Sequence, residues 1–183
     1  QIPALADAGF RVWAPDQRGY NTSEKPERIS SYSIEQLSLD VVGLIDSAGV
    51  EQAIIIGHDW GAAVACWMAQ HFPNRISKLV VINVPHHRIM GENLRSSLRQ
   101  LRKSWYMFFF QLPWLPEFLI SRNDWQLAAG ALLKSSRKGT FSGENIAQYK
   151  QAWEKTGAIR SMLNWYRAMI QQPSPSSLNA KIK

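Results

Sequence analysis

Cysteine is almost missing from this sequence. Cys66 stands alone in 183 residues, so no internal disulfide framework can form, and a reducing, cytoplasmic setting is expected. Nothing near Cys66 supplies the base a reactive thiol needs, and it reads as a small buried hydrophobe. Long apolar runs are missing too: none approaches about 18 residues, so no membrane span is expected. The N-terminus lacks the basic-then-apolar form of a signal peptide. It also lacks an initiator Met and begins at Gln1-Ile2-Pro3-Ala4-Leu5 as if inside an element, so an internal piece of a larger protein is expected. Acidic residues are few, 14 against 21 Lys+Arg, for a net charge of +7. The densest basic stretch, Arg95, Arg99, Arg102 and Lys103, has the spacing of one helix face and reads as a solvated surface. No nucleic-acid motif accompanies it, so no nucleic-acid partner is expected. Metal-ligand spacings and phosphate-binding glycine loops are absent as well, and no metal or organic cofactor is expected. What is present, 45% apolar and 19% charged residues, reads as globular.

Residues 1–84 alternate strand and helix signals. Phe10-Arg11-Val12-Trp13-Ala14 predicts a strand ending at Pro15, followed by a polar loop from Asp16 to Pro26. Ser33 predicts a helix N-cap, with Gln36 spaced for a capping box, Leu37, Val41, Leu44 and Ile45 on one face, and Gly49 as the stop. Ala53–Ile56 and Leu79–Ile82 are continuous apolar runs, as strands covered on both faces should be. A helix from about Gly61 to His71 joins them. This order predicts an α/β fold with a mostly parallel sheet. From about Glu92 to Gln172 the pattern is helical only, with candidates at Leu94–Phe110, Asn123–Lys134, Gly143–Lys155 and Ala158–Gln171. Pro113 and Pro116 punctuate the first gap, and Pro173-Ser174-Pro175-Ser176 reads as a hinge before a returning strand.

The chemistry centres on Gly57-His58-Asp59-Trp60-Gly61, between a buried strand and a small-residue helix start. One reading makes Asp59 a helix N-cap. The other makes it a nucleophile on a strained strand-to-helix elbow, with glycines two residues before and after giving room. A carboxylate there needs no base to start. It attacks a saturated carbon bearing a leaving group, giving an alkyl ester that water must then cleave. The oxyanion of that second step forms on Asp59, and the Trp60 backbone N–H is placed to donate to it.

Gly-His-Asp-Trp-Gly resembles the elbow of α/β-hydrolase-fold epoxide hydrolases, and haloalkane dehalogenases are similar there. Trp13-Ala14-Pro15-Asp16-Gln17-Arg18-Gly19-Tyr20 and Ser23-Glu24-Lys25-Pro26 resemble the strand and loop before that elbow. The segment Trp105-Tyr106-Met107-Phe108-Phe109-Phe110-Gln111-Leu112-Pro113 resembles the family's first lid-tyrosine segment, and Asn164-Trp165-Tyr166-Arg167 its second. The resemblance implies that Tyr106 and Tyr166 hydrogen-bond the epoxide oxygen and protonate it as the ring opens. It implies a small hydrophobic epoxide and water as substrates. It also implies a base histidine with an acidic partner after the lid, and a His-Gly-x-Pro oxyanion segment before the first strand; neither is in this chain.

The tyrosines also make sense as residues. A phenol with a pKa near 10 stays protonated at neutral pH and can donate to an alkoxide. The alternative is packing, the usual work of a helical tyrosine. Tyr20, Tyr32 and Tyr149 are left with packing. The Trp60 indole would hold a departing halide in a dehalogenase, line the cavity in an epoxide hydrolase, or simply pack. Phe108, Phe109, Phe110, Trp114, Trp153 and Trp165 suggest an apolar cavity or lid core. His58 reads as support of the turn and His71 as a helix-end residue. His86 and His87 are not given the base's role.

The expected architecture is a partial α/β-hydrolase core over 1–85, a helical lid over 86–173, and a hinge with the start of a returning strand over 174–183. The expected activity is epoxide hydrolysis through an Asp59 ester, incomplete in these residues alone. Dehalogenation by the same Asp59, or a non-catalytic member binding an apolar ligand, are the alternatives. The sequence leaves the oligomeric state open.

Overall fold

The computed structural model describes residues 1–83 and 102–172. The basic positions Arg95 and Arg99, the pair His86 and His87, and the proposed hinge from Pro173 lie outside the described residues.

The β-branched run at Ala53–Ile56 forms strand β1 (Ala53–His58), and Ile76–Ile82 forms strand β2. They pair in parallel, with Ile55 opposite Leu79 and Gly57 opposite Val81. Among the described residues 1–83 the α-helices are α1 (Ile2–Asp7), α2 (Ile34–Ser47) and α3 (Trp60–His71). A parallel pair needs a crossover, and α3 supplies it. Ala62, Val64, Ala65, Cys66, Trp67 and Met68 are its buried residues, and the small ones let it lie close to the strands. Ser33 caps α2, its side chain accepting from the Gln36 N–H at 3.4 Å. Gly49, at φ 72°, takes the left-handed conformation that ends the helix.

Two expectations fail here. Phe10–Ala14 is not a strand, because the described sheet contains only β1 and β2 and neither pairs with it. Strand spacing cannot supply a ladder partner, and without one the segment's backbone groups have no sheet to join. Arg11 lies over the Trp13 ring instead, 4.9 Å from its centre. Nor are the strands covered on both faces. Ile54 and Ile56 are 40% and 49% exposed, because α3 covers one face and the other stays open among the described residues.

The remaining described helices are α4 (Trp105–Phe109), α5 (Leu115–Ser135), α6 (Gly143–Trp153) and α7 (Ala158–Gln171). The span α5 joins two helices across a kink: a first from Leu115 that the sequence did not predict, and a second from Gln126 that matches the expected Asn123–Lys134. Pro116 stands in its first turn, where the missing N–H costs nothing, so it opens a helix rather than separating two. The expected start instead falls in a kink, Arg122–Trp125, where Asn123, Asp124 and Trp125 have positive φ. An ion pair from Lys150 to Asp124 and the burial of Trp125 against Trp153 hold the kink. A full capping box at Ser142 and Asn145 starts α6.

Helix α7 belongs to two cores at once. Its Trp165 and Ala168 join Tyr32, Leu37, Ile45, Val64 and Met68. Its Leu163 joins Ile120, Trp125 and Trp153. The Asp16–Pro26 loop is fastened against the same helix. Gly19, at φ 90°, lies so close to α7 that an added Cβ would meet Ser161 Cβ and a Tyr32 ring carbon at 2.9 Å. Arg18 anchors the loop to α2 through two bonds to Asp40, at 2.7 and 2.6 Å. That carboxylate raises the Arg18 pKa further and keeps the guanidinium charged.

Candidate active site

Strand β1 delivers the chain to Asp59, and α3 begins at the next residue. Asp59 has φ 50° and ψ −122°, a conformation costly for a residue with a Cβ. Its side chain makes no capping bond. The helix start is satisfied by its main chain instead: the Asp59 carbonyl accepts from Ala62 and Ala63 N–H at 3.0 and 3.2 Å. The N-cap reading requires a capping side chain, and it fails. What remains is an exposed carboxylate on a strained turn. The N–H groups of Trp60 and Gly61, in the first turn of α3, have no acceptor within the helix.

Gly57 and Gly61 have different roles. A Cβ on Gly57 would lie 2.4 Å from the Gly61 carbonyl oxygen and 2.7 Å from Ala62 Cα. Only glycine lets the helix start fold back over the strand at that distance. A Cβ on Gly61 would meet Gln17 Nε2 at 3.6 Å, an ordinary contact, so Gly61 is not required for room.

The two tyrosines expected from the sequence meet in space, from helices α4 and α7. Their ring centres are 5.8 Å apart, nearly perpendicular. Tyr166 also packs edge-on against Trp60, at 5.1 Å. The Asp59-Trp60 turn, Tyr106 and Tyr166, distant in sequence, thus meet in one neighbourhood. The phenols carry the imprint of the carboxylate. The Tyr166 pKa is raised to about 12: burial is the main cause, the Trp60 side chain works against it, and Tyr106 and Asp59 add to the rise. Burial and the Asp59 charge also raise Tyr106. Both phenols therefore keep their protons at neutral pH.

Three further residues border this neighbourhood: Tyr20, which the sequence left with packing, Phe110, which it assigned to an apolar cavity or lid core, and Arg167, which it did not single out. Tyr20 packs edge-on against Trp165 at 5.5 Å; burial, then Tyr166 and Asp59, raise its pKa. Phe110 touches both phenol rings, at 5.6 Å from Tyr106 and 5.0 Å from Tyr166. Arg167 is buried and bonds to the carbonyls of Phe110 and Leu112. The available signals were weak: Tyr20 beside the loop glycine Gly19, and an arginine directly after Tyr166. Tyr32 and Tyr149 do pack, Tyr32 buried with its hydroxyl on the Pro26 carbonyl and Tyr149 against Phe141 and Trp153. Trp153 and Trp165 are core residues, whereas Phe108 and Trp114 are exposed. The His71 ring stacks on Trp67 at 3.8 Å, and its Nδ1 lies 3.0 Å from the Trp67 carbonyl oxygen. A cavity of about 520 Å³ between Ile29, Trp114, Glu117 and Arg160 is lined by none of the four candidate residues.

A family model described as the α/β hydrolase fold matches residues 1–163. This chain belongs to the α/β-hydrolase fold family. The AB hydrolase superfamily protein YfhM of Bacillus subtilis is 47% identical over 169 residues, covering 92% of this chain and 59% of YfhM. Epoxide hydrolase 4 of Homo sapiens is 36% identical over 163 residues, covering 86% of this chain and 45% of the human protein. The crystal structure of a Bacillus megaterium epoxide hydrolase bound to an inhibitor superposes with a TM-score of 0.76 at 29% identity, covering 89% of this chain and 57% of that one. The chain thus spans roughly half of the epoxide hydrolases it matches. Its α/β class and its resemblance to epoxide hydrolases stand. No helix among the described residues is long and apolar enough to cross a membrane.

Proposed function

We propose that the protein is an epoxide hydrolase converting a small hydrophobic epoxide and water to a vicinal diol, with residues 1–85 as core and 86–173 as lid. The observation that carries this reading is a pair of protonated phenols, Tyr106 against Tyr166 and Tyr166 against Trp60, beside a strained, uncapped Asp59. An Asp59 carboxylate oxygen attacks an epoxide carbon, the C–O bond breaks, and its electron pair goes to the ring oxygen. Tyr106 and Tyr166 hydrogen-bond that oxygen, and one of them protonates it. The product is a hydroxyalkyl ester of Asp59. Water then adds to the ester carbonyl carbon, the oxyanion on Asp59 accepts from the Trp60 N–H, collapse releases the diol and restores the carboxylate, and the proton lost by water returns to the tyrosinate.

The Trp60 ring packs edge-on against Tyr166, as a residue lining a cavity beside the phenols would, and this supports the epoxide reading over halide release. Ester cleavage needs a base to activate water. We assign that step to a histidine and an acidic partner beyond these residues, so that the 183 residues alone form the ester and stop. The test is intact-mass analysis after incubation with a terminal epoxide. One equivalent of adduct on Asp59, absent in Asp59→Ala, is the expected result. Steady diol turnover by this polypeptide overturns the incompleteness, and an adduct surviving Asp59→Ala overturns the nucleophile.

A further inference from the structure

We infer that Arg167 is a positioning residue that sets the Tyr106 phenol against the Tyr166 phenol by gripping the backbone just after the helix that carries Tyr106. The inference rests on the reading of those tyrosines as the ring-opening acids.

Arg167 is 6% exposed, and all three of its guanidinium nitrogens donate. Nε binds the Phe110 carbonyl at 2.9 Å and Nη2 the Leu112 carbonyl at 2.8 Å. Nη1 binds Glu117 Oε1 at 2.7 Å and Asn164 Oδ1 at 3.2 Å. The gripped residues flank Gln111, whose Nε2 donates to the carbonyls of Met107 and Tyr166, both at 3.1 Å. The segment Phe110–Leu112 is therefore held by α7 through Arg167 and holds the Tyr166 backbone in return. Its Phe110 ring rests on both phenols. A shift of this segment displaces one phenol relative to the other.

The grip depends on shape as well as charge. A guanidinium presents rigidly forked donors and serves separated acceptors together. Lysine at this position keeps the charge but offers one nitrogen, so it cannot bridge Phe110, Leu112 and Glu117 at once. Such a loss leaves the contacts to the rest of the substrate intact and misplaces the proton donors. It therefore acts on the ring-opening step, with an expected cost on the order of 10- to 100-fold for a misplacement near 1 Å.

The experiment is single-turnover ester formation in the intact protein, with two aryl epoxides of equal size whose alkoxides differ in basicity. Variants are Arg167→Lys, Gln111→Ala, Tyr166→Phe and Arg167→Lys with Tyr166→Phe. Arg167→Lys is expected to slow ester formation by at least about 10-fold, with the epoxide's half-saturation changed by less than about threefold. It should also slow the more basic alkoxide more. In the Tyr166→Phe background, Arg167→Lys should add little, because both act through one donor pair. Should Arg167→Lys fail to fold, Gln111→Ala breaks the same connection from its other side and must show the same selective loss. An equal loss for both epoxides, or full additivity with Tyr166→Phe, reduces Arg167 to a fold stabiliser and overturns the inference. If Tyr166→Phe leaves ester formation unchanged, it is the reading of the acids that fails.

Discussion

The indole nitrogen of Trp165 donates to the carbonyl oxygen of Arg18 at 2.9 Å, across 147 residues of sequence. Trp165 is fully buried. This bond and the tight approach of Gly19 to Ser161 fix the Asp16–Pro26 loop on α7, the helix that carries Tyr166. Trp165→Phe removes the donor, strands a carbonyl and leaves a void. The expected destabilisation is about 2–4 kcal/mol, measured by urea unfolding. A loss below about 0.5 kcal/mol would show that the bond does not fasten the loop.

The elbow glycines should respond unequally. Gly57→Ala drives a Cβ into the backbone of Gly61 and Ala62 and should cost at least about 2 kcal/mol. Gly61→Ala meets only the far end of Gln17 and should cost no more than about 1 kcal/mol. Comparing their denaturation midpoints checks the asymmetry; equal losses contradict it.

Asp59 holds a backbone conformation that suits glycine better than aspartate. Asp59→Gly should therefore raise unfolding stability by roughly 1 kcal/mol while abolishing the epoxide adduct. Stability that falls in Asp59→Gly would mean the turn is not strained. A gain with loss of reaction is the expected trade between stability and activity.

Alkaline pH should destabilise the fold. Tyr166 titrates near 10 when unfolded and at about 12 when folded. Between those values the folded state keeps a proton that the unfolded chain has released, so this contribution is full below about pH 10 and is lost as pH rises to about 12. Tyr20, Tyr32 and Tyr106 shift in the same direction. Unfolding free energy should decline above about pH 10, and less steeply in Tyr166→Phe. An identical slope in that variant would show that Tyr166 does not titrate as inferred.

Gly43 lies inside α2 with open space where a Cβ would stand. Gly43→Ala should stabilise the chain by about 0.5–1 kcal/mol, seen as a higher melting temperature.

Local sequence determined much of this protein. Short-range rules placed α2 between Ser33 and Gly49, the strands flanking α3, and the elbow itself, because caps, β-branched runs and glycine constraints act over a few residues. The residue type at Asp59 determined which chemistry the elbow could start. Similarity of two segments pointed to Tyr106 and Tyr166. Tertiary structure decided what depends on partners. Among the described residues, Phe10–Ala14 had the spacing of a strand but no neighbour to pair with, and Ile54 and Ile56 had the composition of a doubly covered strand without a second cover. Pro116 opens α5 because the chain turns into a helix there, which proline composition alone leaves undecided. Asp59 could have capped α3 by its residue type; its backbone angles instead gave that work to the main-chain carbonyl and left the carboxylate free. The meeting of Trp60, Tyr106 and Tyr166, and the Arg167 grip behind it, come from packing between helices far apart in the chain, and periodicity carries no information about such distances.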